Sequence, residues 1–173
     1  LTVNTTSSGH WSETDTPHVC SSDADDTVAP MDTIARGNAA EAAVLQALVD
    51  AGIHVLVPFG DGLHFDLAAV APDGSLLRLQ VKSGRVRKGC VEFNSSSTDH
   101  GTGQQHYRGR ADLLAVYVRS LPRIFMVPVE ECALFRGYLR LEAARNNQRR
   151  RVRMAENYSF EVWVKSLEAR LAA

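Results

Sequence analysis

The sequence predicts an α/β fold in which a mixed central β-sheet is flanked by helices. Three observations point there: an alanine-rich, proline-free helical pattern from residue 34, a succession of short aliphatic and β-branched runs separated by turn signals, and a second helical pattern near the end of the chain. With 173 residues the chain can bury one substantial core, which excludes a multidomain machine. Hydrophobic residues at 45% and charged residues at 23% lie near the globular average, so a collagenous, coiled-coil or wholly disordered chain is excluded as well. The longest apolar runs, such as Leu113–Val118, fall far short of a membrane span, and a soluble protein is expected with no membrane partner. The first residues lack the basic and apolar regions of a secretory signal. Cys20, Cys90 and Cys132 are scattered with no CxxC pair, so reduced thiols in a cytoplasm are expected.

Residues 1 to 31 are rich in Ser, Thr and Asp and show no periodicity, as a disordered acidic tail would; residues 32 to 173 are expected to form the folded domain. Met31 stands where the globular pattern begins, and an over-extended reading frame or a translated tail both fit. Ile34 to about Ala51 reads as a helix stopped by Gly52. Ile53–Pro58, Leu63–Val70 and Leu76–Ser83 read as strands, the last by the strict alternation of Leu77, Leu79 and Val81 with Arg78, Gln80 and Lys82. The turn chemistry of Pro72-Asp73-Gly74 joins the second and third as a hairpin. Val91–Asn94 reads as a further strand, residues 94 to 110 as a long polar loop, and Ala111–Val118 and Ile124–Val129 as strands joined around Pro122. A short helix is expected from Val129 to Phe135, then a basic irregular stretch, and a terminal helix from Val162 to Ala173.

A three-residue hairpin loop sets the register so that opposed residue numbers sum to 146, which puts Asp66 across from Gln80. His64, Asp66, Gln80 and Lys82 would then share one face, with Phe65, Leu67, Leu79 and Val81 on the other; a two-residue turn would shift the sum to 147 and scatter the set. Glu41 precedes Val44, Leu45 and Leu48 at helical spacing, which predicts a carboxylate on the apolar stripe, facing the sheet. Such a carboxylate is costly unless paired or metal-bound. Two carboxylates, an amide oxygen and an ammonium offer hard oxygen ligation for Mg²⁺ beside a cation able to position a water. A plain surface ion pair between Asp66 and Lys82 is the competing reading.

At these residues the sequence resembles the PD-(D/E)xK nuclease superfamily, whose core carries a helical Glu, a hairpin Asp and then (D/E)-x-K. Asp66 matches the first acid, and Gln80-Val81-Lys82 the second half-motif with Gln in place of the acid. It is similar in particular to the group I intron-associated, homing-endonuclease branch, through Gly37–Glu41, Val57–Asp61, Leu79–Gly84, Tyr107-Arg108-Gly109 with Asp112, Val127–Val129, and Asn146 through Tyr158. The resemblance implies a restriction-endonuclease-like fold and Mg²⁺-dependent cleavage of double-stranded DNA, with Mn²⁺ as a substitute, by a homodimer or homotetramer. It implies catalytic roles for Glu41, Asp66, Gln80 and Lys82, with Asp66, Gln80 and the Val81 carbonyl holding the metal. A junction-resolving or repair nuclease, and an inactive DNA-binding module of the same fold, are the alternatives.

Charge is uneven along the chain. The net −1 hides six acids and no Lys or Arg in residues 1 to 33, against a body of 19 basic and 14 acidic groups. From Arg136 to Arg153 there are seven arginines and one acid, interleaved with amides. Arg145, Asn147, Gln148, Arg149, Arg150, Arg151 and Arg153 are therefore DNA-contact candidates, together with Tyr107, Arg108 and Arg110 closing the long loop. A solvated charged face is the competing reading of the run. His64 reads as a hydrogen-bonding neighbour before a base, and Asp112 equally as a loop anchor or a catalytic group.

Overall fold

Asp32 begins the first helix, its carboxylate accepting a hydrogen bond from the Ala35 N–H at 2.6 Å. Helix α1 spans Thr33–Asp50 and buries Ala40, Val44 and Leu48, the apolar stripe read from the sequence. Gly52, at φ 72°, closes it as expected, with Ile53 N–H returning to the Leu48 carbonyl. This computed structural model describes residues 31 to 60, 62 to 99, 103 to 142 and 152 to 171, of which 98, 99, 170 and 171 by their backbone alone. The expected tail, apart from Met31, therefore lies outside the described residues.

Nine strands follow: β1 Val55–Leu56, β2 Leu67–Val70, β3 Leu76–Arg87, β4 Cys90–Asn94, β5 Ser96–Asp99, β6 Gly103–His106, β7 Leu113–Val118, β8 Arg123–Pro128 and β9 Arg136–Arg140, with helix α2 at Phe160–Leu171. Seven of them form one sheet around β3, whose first half pairs antiparallel with β2 and parallel with β7, and whose end pairs antiparallel with β4. The sheet is mixed, as the alternation of helix and strand signals implies.

Two cores divide its faces. Leu67, Ala69, Leu79, Val81, Leu113 and Ala115 pack against α1 and against Trp163 and Leu167 of α2. Leu114, Val116, Phe125 and Val127 on the other face pack beneath Val91 and Phe93 of β4 and Leu139 of β9. Gly137 is required there, because a side chain on it would collide with the Phe93 ring.

Several boundaries differ from those expected. Residues 63, 64 and 66 are bends and the second strand starts only at Leu67, whereas β3 continues four residues past Ser83. The β3–β4 turn explains that length: Lys88 and Gly89 both have positive φ, 51° and 70°, the twist-matched two-residue hairpin turn. The expected loop of residues 94 to 110 contains the β5–β6 hairpin, and the helix expected at 129 to 135 is a single 3-10 turn, Val129–Glu131. The stretch read as irregular and basic begins with β9, whose alternating burial of Gly137 and Leu139 was masked in the sequence by its arginines.

Candidate active site

The hairpin register is the one summing to 146: Leu67 pairs with Leu79, Ala68 with Arg78 and Ala69 with Leu77. Ala71 N–H donates to the Ser75 carbonyl, so hydrogen-bonded pairs recur at 71/75, 69/77 and 67/79, and a continued strand would next join 65 to 81. Asp66 intervenes. Its N–H takes the Leu79 carbonyl at 2.9 Å, and its Oδ2 accepts the Val81 N–H at 2.7 Å that the missing strand would have used. The carboxylate thus ends β2 and caps the vacated edge of β3. Because Leu79 pairs with β2 on one edge and β7 on the other, residues 80 to 84, paired only with β7, leave that edge open among the described residues.

The other candidates meet at this edge. Gln80 Nε2 donates to Asp66 Oδ2 at 2.5 Å and lies 3.5 Å from the Val81 carbonyl, which shares the open edge with its own N–H. Gln80 is 8% exposed and needs these partners. Lys82 is half-buried; its Nζ donates to the Tyr107 hydroxyl at 2.7 Å and sits 4.8 Å from that ring's centroid. Burial pushes the Asp66 carboxyl above the ordinary carboxylate range, against the pull of the Val81 N–H, Lys82 and Gln80.

Glu41 is a partial correction. It lies at the margin of the buried stripe, largely exposed, since the residues turned fully into the core are Ala40, Val44 and Leu48. Its carboxyl still feels the site: desolvation and then repulsion from Asp66 raise its pKa, and Lys82 lowers it. Two carboxylates, of which Asp66 disfavours the charge of Glu41, with Asp66 Oδ1 taking no hydrogen bond among the described residues, are a donor set suited to a divalent cation.

Other expected residues fall elsewhere. His64 is exposed in the bend before Asp66, outside the shared strand face expected for it. Asp112 is an anchor: its Oδ2 accepts the Arg78 N–H at 2.7 Å, and the Arg78 guanidinium holds both oxygens at 3.1 and 2.8 Å. Tyr107 is 4% exposed within the core, because only there can its hydroxyl meet Lys82, so its surface is not on offer to a DNA backbone. Arg108 lies 3.6 Å from Glu130 and remains 45% exposed, and Arg110 is half-buried beside it. Arg153 neighbours Tyr158, whose hydroxyl donates to Glu131 at 2.5 Å and is pushed up to about 12, chiefly by burial. Arg145, Asn147, Gln148, Arg149, Arg150 and Arg151 lie outside the described residues. The partnership of Tyr107 with Lys82 is the feature the sequence did not reveal, since 25 residues separate the two and no periodicity links them.

Comparison with known proteins fits this arrangement. A family model described as PD-(D/E)XK endonuclease matches residues 31 to 161. Among solved structures, a bacterial homing endonuclease, I-Ssp6803I, superposes with a TM-score of 0.62 at 26% identity, over 81% of this chain and 96% of that one. A search of curated proteins returned no match.

Proposed function

Because the chain belongs to the PD-(D/E)XK endonuclease family, we propose that it hydrolyses phosphodiester bonds of double-stranded DNA with Mg²⁺, or Mn²⁺ in its place, as a homing-type endonuclease. One observation carries this reading: Asp66, Gln80 and Val81 converge on an open strand edge, where Lys82 acts electrostatically on the Asp66 carboxylate and on Glu41, and Asp66 repels Glu41.

Asp66 and the Val81 carbonyl are the groups to hold the cation. Gln80 joins them when its amide turns its oxygen outward. A bound divalent cation supplies Lewis acidity and a water of lowered pKa. Lys82 contributes the fixed positive charge. Its ammonium is held by the Tyr107 hydroxyl and ring, so it can orient a water and stabilise negative charge on the phosphoryl oxygens without first losing side-chain freedom. Glu41 supplies the second acid, accepting from a water at the margin of the site. Tyr107 acts through Lys82 as a positioning residue.

Arg108 and Arg110, and the arginine–amide run from Arg145 to Arg151, serve phosphate contacts that hold the duplex. Both strands are cut most simply by two such edges, which a symmetric dimer or tetramer provides. No helix among the described residues is long and apolar enough to cross a membrane.

The test is incubation of the purified protein with supercoiled and linear duplex DNA in Mg²⁺, in Mn²⁺ and in EDTA. Nicking or linearisation in either metal and none in EDTA is expected. Lys82→Ala protein that cuts as well as the wild type under matched metal sinks the mechanism.

A further inference from the structure

A second surface on the same strand carries a separate chemistry. Val86, Val91, Phe93 and Leu139 turn into the core, so their alternates point outward from the sheet formed by the end of β3, β4 and β9. The register sets these alternates in rows. Arg85, Glu92 and Tyr138 lie side by side, Arg87, Cys90 and Arg140 form the next row, and Asn94 faces Arg136. Lys88 adds a cation at the turn.

Five cations thus surround a single acid. Glu92, 6% exposed, holds Arg85 at 3.2 Å and Arg136 at 2.9 Å, and it fixes both side chains while their own surfaces stay 64% and 53% exposed. Arg87 acts on Glu92 through space but makes no ion-pair contact with it, and half-buried Arg140 makes no ion pair among the described residues. Like charges concentrated on adjacent strands of one sheet face cost stability unless an external anion answers them. A row of guanidiniums, three of them exposed and two held in place, matches a regularly spaced polyanion.

We propose that this outward face, on the side of β3 opposite Lys82, binds the sugar-phosphate backbone of the duplex away from the cleavage edge; the proposal rests on the nuclease reading above. Along β3, Arg85 and Arg87 stand about 10 and 16 Å from Lys82 at the ordinary strand rise, and they leave the strand on its opposite face because they alternate with Lys82 and Val86. The exposed Tyr138 beside Arg85 suits contact with a sugar face.

The experiment measures duplex binding in EDTA as a function of salt for the wild type, for Arg87→Gln/Arg140→Gln, and for Lys165→Gln on the exposed side of α2. The double variant is expected to lower the slope of log affinity against log salt by about two, one phosphate contact per arginine. Lys165→Gln should keep the wild-type slope. A double variant with an unchanged slope, in a wild type that binds and cuts DNA, overturns the proposal alone and leaves the face to another polyanion. Wild-type protein that neither binds nor cuts duplex DNA overturns the nuclease reading and this proposal with it.

Discussion

Two aspartates grip β3 from opposite edges, and the contrast between them separates scaffold from site. Asp112 accepts the Arg78 N–H and Asp66 the Val81 N–H, each at 2.7 Å. Asp112 is then neutralised by a two-pronged guanidinium, and its carboxyl is held below the ordinary range. Asp66 receives only a neutral amide, while the nearby ammonium is engaged by Tyr107, and burial leaves its carboxyl above that range. The same backbone contact therefore yields a satisfied anchor on one edge and an electrostatically unsatisfied carboxylate on the other. Only the second has something to gain from a cation.

The sharpest way to break the contrast is to remove charge on the open edge. Asp66→Asn and Lys82→Ala are each expected to lower the cleavage rate by about two or more orders of magnitude, the scale for losing a group that meets developing charge. Both should bind duplex nearly as the wild type does, because phosphate contacts elsewhere carry the affinity. Single-turnover cleavage and equilibrium binding on the same duplex separate the two effects, and an equal loss in both would place Asp66 in the scaffold class.

Asp112→Ala should do the converse. It is expected to cost about 1 to 2 kcal/mol of stability, a charged hydrogen-bond set discounted because about a third of each side chain remains in solvent. The sign follows from linkage. A depressed pKa means that the folded state favours the charged form, so this stabilisation is full above the ordinary aspartate value of 3.8 and is lost as pH falls through the folded value. Urea melts from pH 7 down to 3 should show the wild-type advantage shrinking at the acid end. An advantage that does not change with pH would mean that packing, and not charge, is what Asp112 provides.

Tyr107→Phe keeps the ring in the core and removes only the hydroxyl that receives Lys82. A fall in kcat of about five- to tenfold is expected, the rate equivalent of about 1 kcal/mol of lost hydrogen bonding, with KM for DNA unchanged. A purely structural tyrosine would shift the melting temperature and leave kcat alone.

Glu41→Gln gives the smallest effect. Its carboxyl is raised, so the folded state resists ionisation, and stability declines as pH climbs through the range just above the ordinary glutamate value of 4.5. Without metal, the variant should melt above the wild type at pH 7 and match it below about pH 4. Mg²⁺ should then stabilise the wild type more than the variant. A variant that melts below the wild type at pH 7 in EDTA would show that Glu41 is paired and not repelled.

Much of this was readable before any coordinates. Pro72-Asp73-Gly74 pointed to a three-residue turn and, of the two registers the sequence allowed, to the one the structure has, which brings the Gln80 amide to the Asp66 carboxylate just past the end of the ladder. The alternation around Leu79 and Val81 marked the core face, and the Gly52 stop marked the end of α1, since both depend on local periodicity and backbone freedom. Local rules failed where distant segments compete for the same groups. The second strand was expected to run from Leu63, but the Asp66 carboxylate takes the Val81 N–H that pairing would have used. The arginines of β9 hid a strand whose inward positions are a glycine and a leucine, because the strand's identity comes from pairing with β4 and not from its own composition. Glu41 shares a helix face with buried residues, yet it lies at its margin, since helical spacing sets the direction of a side chain but not how far the neighbouring sheet extends beneath it. The partnership of Lys82 with Tyr107, and the gathering of Arg85, Arg87, Arg136 and Arg140 on one face, needed the tertiary structure outright. Strand order and crossover, which no window of sequence contains, decide which distant side chains become neighbours.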